Sequence, residues 1–546
     1  MLTALVVLGL LAAVHVPLGN YIAHVYTSQR HWRAERIVYR LGRIDPGADQ
    51  RWTSYLRSLL AFSLAGIGLL YLLLRLQAHL PYALGHPGMA PALAFNTAVS
   101  FTTNTSWQSY AGESTLGHLA LAAGLGVQGF LSVAVGMAAA VALVRGLQRR
   151  STDQVGNFWV DVTRSCTRLV LPLALAGGVV LLALGVVQNW QDPHTITTIT
   201  GGSPTLIGGP VASWEPVKLL TGDGGGAFNA NSAHPFENPS PLSNVIEIFL
   251  MLVIPSAFPR AYGRMVGDRR QGWALAAVVA VLLTAGITAG LLAQSGQHGT
   301  VATAVGGSVE GTEVRNGVAS SALFGLAATA SADGAANASY DSFTALGGGV
   351  LMANMMLGEI GPGGGGSGLY ALLVVALIAV FLGGLMVGRT PEYLGKRVRR
   401  REITFVALYT LTMPAILLTG AALVIGSHNG QSSLLNTGPH GLSEALYAVT
   451  SSANSNGSAF AGINANTPFL NTLLAVVMLV GRYLPIVFVL ALAGAFARQQ
   501  PRPDTAGTLK TATPFFVALV VGIAVLTSLL SFVAALALGP LAESLH

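Results

Sequence analysis

Ten long apolar segments are the feature that most limits how this chain can fold. Each is long enough to cross the hydrocarbon core of a bilayer as a helix, which takes about 20 apolar residues. In chain order they are residues 3–19, 55–76, 115–144, 169–188, 245–265, 273–294, 368–388, 403–426, 469–496 and 514–538. Only 9% of the 546 residues are charged, against roughly 25% in soluble domains. The sequence therefore predicts an all-α polytopic membrane protein with ten transmembrane helices.

The basic residues lie almost entirely on one side of the predicted bundle. With the N-terminus outside, the cytoplasmic connections are residues 20–54, 145–168, 259–272, 389–402 and 497–513. These connections and the adjoining helix ends contain all of the 29 lysines and arginines except Arg75, Lys218, Arg315 and Arg482. Positive charge favours the cytoplasmic side, so both termini are expected outside. The net charge of +7 is explained by this orientation and does not require nucleic acid as a partner.

The N-terminal segment and the cysteine content further limit the class of protein. The first apolar segment lacks a basic leading region and a small-residue cleavage site, which favours a retained helix over a cleaved signal peptide. The single cysteine, Cys166, excludes an internal disulfide and a cysteine metal cluster.

Four polar stretches recur on the outer side, centred near residues 106, 224, 334 and 457. The first and fourth, AVSFTTNTSWQSYAG (98–112) and AVTSSANSNGSAFAG (448–462), align without a gap and place Asn104 opposite Asn454. Each stretch follows an apolar segment of about 10–13 residues, which is too short to span a bilayer but suits a re-entrant half-helix. Ordinary outer loops inherited by duplication are the alternative.

The predicted unit is a helix, a half-helix, a polar filter loop and a second helix, repeated four times around a pseudo-fourfold axis. The first and last transmembrane helices are extra. The predicted divisions are residues 1–54 (first helix and basic loop), 55–145, 165–268, 273–390 and 403–498 (pore repeats 1 to 4), and 499–546 (cytoplasmic link and last helix).

The composition of the polar stretches indicates an ion selectivity filter. Non-helical backbone at membrane depth persists only where it is buried in protein or lines a water-filled cavity. The C-terminal end of a half-helix dipole favours a cation, and small residues allow backbone carbonyls to replace the hydration shell of an ion. The stretches carry hydroxyl and amide side chains, which add neutral oxygen ligands.

Longer motifs around these stretches resemble the family of potassium-binding A subunits of the Kdp potassium-transporting ATPases. The resemblance covers essentially the whole chain. The motifs are FNTAVSFTTNTSWQSYAGE (95–113), GGGAFNANSAHPFENP (224–239), YDSFTALGG (340–348), GGGGSGLY (363–370), NGSAFAGINANTPF (456–469) and VGRYLP (480–485).

The resemblance implies a subunit in the bacterial plasma (inner) membrane that selects K⁺ from outside. It would pass the ion through an intramembrane tunnel to a P-type ATPase subunit that hydrolyses ATP, with two small single-span subunits completing the complex. K⁺ is the transported ion, and no organic cofactor is expected in this chain. Matched by motif, the filter positions are Asn104, Thr105, Ser106, Gln108, Gly222, Asp223, Gly224, Ala332, Asp333, Gly334, Ser455, Asn456 and Gly457.

Whether the chain counts as an enzyme depends on the complex, because the Asp-Lys-Thr-Gly phosphorylation motif is absent from the sequence. The complex is expected to be an ATP-dependent K⁺ translocase, whereas this chain would hydrolyse no ATP by itself. An autonomous K⁺ channel or symporter of the same superfamily is the alternative function.

Two filter positions depart from the family pattern. The second loop has Gly222-Asp223-Gly224 where Thr-Asn-Gly is usual, and the third has Ala332-Asp333-Gly334 where Ser-Cys-Gly is usual. The two carboxylates could tighten K⁺ binding, weaken discrimination between ions, or point behind the filter and pair with backbone donors.

Two charged residues predicted to lie deep in the bundle are candidates for a gate. Arg482 lies near the middle of the segment 469–496, and Glu359 precedes the glycine-rich break 361–368. A charge at this depth is costly and usually functional. We expect Arg482 to stop K⁺ from passing to the cytoplasm and Glu359 to lie near it. The break, which contains Gly363, Gly364, Gly365 and Gly366, is expected to form a gating loop. A structural salt bridge is the alternative.

Overall fold

The structure is a computed structural model that describes residues 2–295, 309–386, 388, 390–503 and 508–545. The other residues include 296–308, 387 and 389 of the predicted third repeat and 504–507 of the last predicted connection. Those parts of the predictions lie outside the described residues.

The described residues are predominantly helical, which confirms the predicted class. In chain order the helices are α1 (Leu2–Thr27), α2 (Arg33–Leu41), α3 (Trp52–Leu76), α4 (Pro91–Thr102), α5 (Gly112–Thr115), α6 (Val127–Gln148), α7 (Phe158–Arg164), α8 (Leu171–Ala183), α9 (Val211–Thr221), α10 (Pro241–Met265), α11 (Arg269–Ser295), α12 (Gly317–Ala330), α13 (Ala345–Met356), α14 (Ser367–Met386), α15 (Arg400–Gly426), α16 (His428–Gln431), α17 (Gly438–Asn454), α18 (Pro468–Ala497) and α19 (Pro514–Leu536).

Strands occur only as two-stranded antiparallel ribbons in the connections of the described chain. They pair β1 (Gln50–Arg51) with β2 (Gln154–Gly156), β3 (His194–Thr195) with β4 (Thr205–Leu206), and β5 (Glu392–Tyr393) with β6 (Lys396–Arg397).

Ten helical spans in the described residues are long and apolar enough to cross a membrane, as predicted. They are α1, α3, α6, the continuous pair α7 and α8, α10, α11, α14, α15, α18 and α19. The helix α6 lies at the centre, because 83% of its apolar window is buried, against 22% for Trp52–His79. The peripheral helices expose many large apolar side chains, which suits contact with lipid.

The fourth span begins well before its predicted start at residue 169. The helix starts at Phe158 and includes Asp161, Arg164 and Arg168, which in the sequence are typical of a polar connection. Buried partners accommodate these charges inside the bundle: Arg145 lies 2.6 Å from Asp161, and Glu35 pairs with Arg168. The predicted start of the fourth span at residue 169, which relied on the charged residues before it, is therefore wrong.

The four short helices α4, α9, α12 and α17 precede the four polar stretches and correspond to the predicted half-helices. The third repeat has an additional element that the sequence analysis did not predict. After its polar stretch, the 12-residue helix α13 packs against α11 and α12 before the glycine-rich break and α14. The returning helix of this repeat is therefore discontinuous, and the break lies inside the bundle.

Candidate functional site

The four half-helices end with the same backbone turn. At each C-terminus one residue adopts the left-handed conformation, with φ between 56° and 63°: Asn104, Gly222, Ala332 and Ser455. The amide of the next residue donates a hydrogen bond of 2.9–3.0 Å to the carbonyl five residues earlier, in the pairs Thr105–Ser100, Asp223–Lys218, Asp333–Ala328 and Asn456–Ser451. Non-glycine residues rarely adopt this conformation, so its recurrence identifies the turns as one structural repeat.

The gapless alignment of the first and fourth stretches is wrong by one residue at this turn. It placed Asn104 opposite Asn454, whereas the structure places Asn104 opposite Ser455. Asn454 is still helical, and its side-chain amide donates to the carbonyl of Thr450 within α17 at 3.0 Å. The fourth half-helix is therefore one residue longer than the matching letters imply.

Each of the polar loops that follow these turns contacts the next loop of the ring. The first loop reaches the second through the side-chain amide of Asn104, which donates to the carbonyl of Gly222 at 3.0 Å. The second loop meets the third where Gly224 lies directly against Gly334, so that a Cβ at Gly224 would collide with its backbone. Glycine is required there by the close approach of the two chains.

Two further contacts close the ring. The side-chain amide of Asn456 in the fourth loop donates to the carbonyl of Ala328 at the end of the third half-helix, at 3.2 Å. The fourth loop returns to the first where a Cβ at Gly457 would collide with the carbonyl of Thr105. The four loops therefore converge on one point in the bundle, as the predicted pseudo-fourfold arrangement requires.

All thirteen predicted filter residues lie in this ring. They are buried except for Gln108 and Gly457, which are partly exposed. Several of their side chains fasten the loops: Gln108 Oε1 accepts from the amide of Gly226 at 2.7 Å, and the hydroxyls of Thr105 and Thr103 are 2.8 Å apart. Because these side-chain groups hold the loops together, backbone carbonyls are the natural ligands for an ion. Their role as ligands stays a prediction.

Asp333 points behind its own loop and bonds to a backbone donor. Its Oδ1 accepts from the amide of Ala335, two residues further on, at 2.9 Å. Asn456 makes the same bond in the fourth loop, where its Oδ1 accepts from the amide of Ser458 at 3.1 Å. Asp333 therefore makes the same hydrogen bond within its loop that Asn456 makes in the fourth repeat.

Asp223 is buried in different surroundings. Within the described residues neither of its carboxylate oxygens accepts a hydrogen bond of good geometry, although the Ser106 hydroxyl is close enough to interact with it. The carboxylate faces α6, because a Cβ at Gly129 would lie 3.0 Å from Asp223 Oδ2. The two departures from the family pattern thus have unequal support from their neighbours.

A cavity of about 510 Å³ adjoins the ring; it is named the outer cavity because the distribution of lysine and arginine predicts that this side faces outward. Each loop contributes to its wall, through Ser106, Gly225, Gly334 and Gly457. The described residues that line it include asparagine, serine and aromatic side chains but no lysine, arginine, aspartate or glutamate. An ion entering here would meet dipoles and no fixed charge.

A smaller cavity of about 110 Å³ adjoins the fourth loop and is lined by Glu359, Arg482, Tyr370 and Ser455, among others. Glu359 accepts a hydrogen bond from the side-chain amide of Asn456 at 3.1 Å. Glu359 and Arg482 form no ion pair within 4.0 Å, since none is found between these two described residues. Glu359 does lie near Arg482, since the two share this cavity and interact through their charges. Their gating roles and the structural alternative both stay predictions.

The glycines Gly363, Gly364, Gly365 and Gly366 lie between the third loop and α6. The amide of Gly363 donates to the carbonyl of Ala330 at 2.8 Å. A Cβ at Gly364 would lie 3.1 Å from the methyl group of Ala332, and one at Gly366 would collide with Gly136 of α6. The segment is wedged tightly beside the ring, and its function as a gating loop stays a prediction.

Ser132, which no sequence pattern indicated, links the ring to Arg482. The Ser132 hydroxyl donates to Asn104 Oδ1 at 2.8 Å, and its carbonyl accepts from Arg482 Nη2 at 3.3 Å. The available signal was weak: a serine within the apolar helix α6. Lys218, which the charge distribution had placed only as an outer-side charge, is also completely buried.

Four half-helices that bring polar loops to one ring inside a bundle of spanning helices define a pore-loop membrane protein. The sequence matches the family described as "Potassium-transporting ATPase A subunit" over residues 5–545. The chain therefore belongs to this family of potassium-transporting ATPase A subunits.

Individual relatives agree with this assignment. Proteins named "Potassium-transporting ATPase potassium-binding subunit" from Kineococcus radiotolerans and Frankia alni are 56% and 50% identical to this chain. The first alignment covers 100% of this chain and 98% of the relative, and the second 97% and 96%. Among solved structures, the potassium transporter TrkH from Vibrio parahaemolyticus has a similar fold, with a TM-score of 0.51, 17% identity and coverage of 80% of this chain and 84% of TrkH.

Proposed function

We propose that this chain is the potassium-selective binding and translocation subunit of an ATP-driven, high-affinity K⁺ uptake complex. The observation that carries the proposal is the closed ring of four equivalent loops, whose walls lack basic side chains. The relatives' name, which describes a potassium-binding subunit of a potassium-transporting ATPase, agrees with that function. K⁺ is the substrate, and no organic cofactor is proposed for this chain.

The filter is proposed to consist of the thirteen residues of the ring, with K⁺ coordinated mainly by their backbone carbonyls. The half-helices support this proposal, because each directs the negative end of its dipole toward the ring and so favours a cation. The uncharged outer cavity admits ions, so discrimination rests on the number and spacing of the carbonyls.

The cavity that holds Glu359 and Arg482 is proposed as the start of an intramembrane tunnel. Arg482 opposes the straight passage of K⁺ toward the cytoplasm by Coulomb repulsion, and the wedged glycines Gly363–Gly366 close the same route sterically. The position of both features beside the ring supports this reading. K⁺ leaving the filter would then pass sideways to a partner subunit.

The proposed partner is a P-type ATPase subunit that hydrolyses ATP, with two small single-span subunits completing the complex. The proposed location is the bacterial inner membrane, with both termini on the outer side, as the distribution of lysine and arginine suggests. The division into pore repeats at 55–145, 165–268, 273–390 and 403–498 is retained as part of the proposal.

The test is the ATPase activity of the complex purified with its P-type partner and titrated with K⁺, Rb⁺, NH₄⁺ and Na⁺. Stimulation by micromolar K⁺, with Na⁺ inert, is the expected result. If the chain instead purified alone and conducted K⁺ passively in liposomes, it would be an autonomous channel, and the tunnel would be abandoned.

A further inference from the structure

Lys218 is a buried lysine in the second half-helix, α9, and it is fully paired. Its ammonium group donates to Glu237 Oε2 at 2.6 Å and to Asn231 Oδ1 at 2.8 Å. It also lies 2.9 Å from Glu215 Oε1, one helical turn earlier on α9. Lys218, Glu215 and Glu237 are each completely shielded from solvent. A buried ammonium is tolerated only with such partners, so this group is a built feature of the fold.

The backbone of Lys218 is part of the second filter turn. Its carbonyl accepts the amide of Asp223 at 3.0 Å and that of Gly224 at 3.3 Å. Ser100, Ala328 and Ser451 occupy the equivalent position in the other three half-helices. The four-fold repeat therefore carries one charged side chain at this position, in the second repeat.

The two serines show what a side chain at this position does. Ser100 donates to the carbonyl of Trp107 at 3.0 Å, and Ser451 accepts from the amide of Gly457 at 2.9 Å. Each hydroxyl thus ties its half-helix to the filter loop that follows. In the second half-helix the equivalent residue is Lys218, so no hydroxyl at this position ties this half-helix to the run Gly224-Gly225-Gly226 that follows.

Lys218 reaches the second loop through Asn231. The side-chain amide of Asn231 donates to the carbonyl of Gly225, while its Oδ1 accepts from Lys218. The same Oδ1 lies 3.3 Å from the amide of Ala336, just after the third filter turn. One asparagine therefore joins the lysine to both the second and the third loops.

Glu237 fixes the other end of the glycine run. Its Oε1 accepts from the amide of Phe228 at 2.9 Å, and its Oε2 accepts from Lys218. The ammonium group is thus the common point of bonds to the half-helix, to the middle of the glycine run and to the chain just beyond it. Backbone without side chains has many accessible conformations, so such external bonds restrict it strongly.

We infer that Lys218 is a positioning residue for ion selectivity: with Glu237 and Asn231 it holds the carbonyls of the glycine-rich second loop at the spacing that favours K⁺. This inference rests on the proposed function, because it requires the ring to be a K⁺ filter. Lys218 does not itself line the outer cavity and acts from behind the loop through Asn231, which does line that cavity.

The experiment compares the complex containing the wild-type chain with complexes containing Asn231→Ala and the double variant Lys218→Met, Glu237→Gln. The first breaks the link to Gly225 and leaves the ion pairs intact. The second removes the lysine and one of its carboxylate charges together, which limits the unpaired charge left in the interior. Asn436→Ala is the matched control, since this half-buried asparagine also bonds to a buried carboxylate, that of Glu444 at 2.7 Å, and this bond lies outside the filter loops.

The readouts are the half-saturating concentrations of K⁺ and Na⁺ for ATPase stimulation, the maximal rate, and equilibrium binding of ⁸⁶Rb⁺. We expect the double variant to raise the half-saturating K⁺ concentration on the order of tenfold and to let Na⁺ stimulate, with a nearly unchanged maximal rate. Asn231→Ala should act in the same direction more weakly, and Asn436→Ala should match the wild type.

Two results would overturn the inference: unchanged K⁺ half-saturation and Na⁺ rejection in Asn231→Ala, or the same result in an assembled double variant. If the double variant fails to assemble, Asn231→Ala decides alone. Failure of the proposed function is a separate outcome, because the wild-type complex itself would then show no stimulation by K⁺.

Discussion

The cavities that adjoin the ring differ in size and in charge. The outer cavity, of about 510 Å³, has no charged side chain among the described residues of its wall. The other, of about 110 Å³, contains both Glu359 and Arg482. In the proposed path, K⁺ would meet only dipoles on entry, whereas on leaving the ring it would pass Glu359 and Arg482. Under the proposed function, this difference would separate selection at the ring from gating at the smaller cavity.

The strongest test of this difference is Arg482→Ala. For an ion about 5 Å from the guanidinium, an effective dielectric constant of about 20 gives a repulsion of about 3 kcal/mol, or roughly 100-fold in rate. We therefore expect the variant complex to leak K⁺ passively in liposomes and to lose the coupling of K⁺ to ATP hydrolysis. The measurement is K⁺ flux with and without ATP.

Arg498→Ala supplies the control for the lost charge. Arg498 follows the same helix, α18, and is about half exposed beside Asp153. Its removal should leave both the leak and the coupling at wild-type values. An Arg482→Ala complex that stays tight and fully coupled would remove the gate from the proposal.

Glu359→Gln is expected to act in the opposite direction. The glutamine oxygen can still accept the hydrogen bond from Asn456, so the geometry is kept while the negative charge is lost. The field of Arg482 is then less compensated, and K⁺ should enter the smaller cavity about tenfold more slowly, corresponding to roughly 1.4 kcal/mol. We expect a lower maximal K⁺-stimulated ATPase rate without any leak. A leak in this variant would mean that Glu359 closes the path by contact and not by charge.

The sequence predicted this arrangement best where composition and length carry the information. The ten spans and the four half-helices follow from apolar length, and the polar loops follow from their residue types. The predicted start of the fourth span at residue 169 shows the limit, because the charge of Asp161 is neutralised inside the bundle by Arg145, a partner that the local sequence does not indicate. Ser132 and Lys218 could not be assigned roles for a similar reason, since Asn104 and Glu237, the partners that give them a role, are distant in the sequence or outside their helix.

Substitutions of the two aspartates of the ring are expected to have effects of intermediate size, and they can be compared with each other. Asp333→Asn keeps the acceptor for the amide of Ala335, so ion dependence should change less than about twofold. Asp223→Asn replaces a buried carboxyl that accepts no well-formed hydrogen bond with an amide that can also donate, which should stabilise the fold by about 1 kcal/mol. Thermal unfolding and the ratio of K⁺ to Na⁺ half-saturation measure both effects. Equal responses of the two variants would show that their different surroundings do not matter.

The smallest expected effect on transport concerns His440, a charge on the outer side that does not line the outer cavity. Its ring nitrogens lie 3.0 Å from Asp341 and 2.8 Å from Glu543. These hydrogen bonds to Asp341 and Glu543 raise the pKa of His440 from 6.5 to about 10. Because the folded-state pKa is the higher one, the stabilisation is complete below about pH 6.5 and is lost as the pH rises through about 10.

The unfolding temperature of the wild type should therefore exceed that of His440→Gln by several degrees at about pH 6, and the difference should shrink toward zero near pH 10. The exposed His194 gives a control, His194→Gln, which should show no such dependence. Stimulation of the ATPase by K⁺ at neutral pH should be unchanged in His440→Gln, because K⁺ is expected to enter the uncharged outer cavity without attraction from a nearby fixed charge. A raised K⁺ half-saturation in this variant, reversed by low ionic strength, would instead show that outer charges do attract the ion.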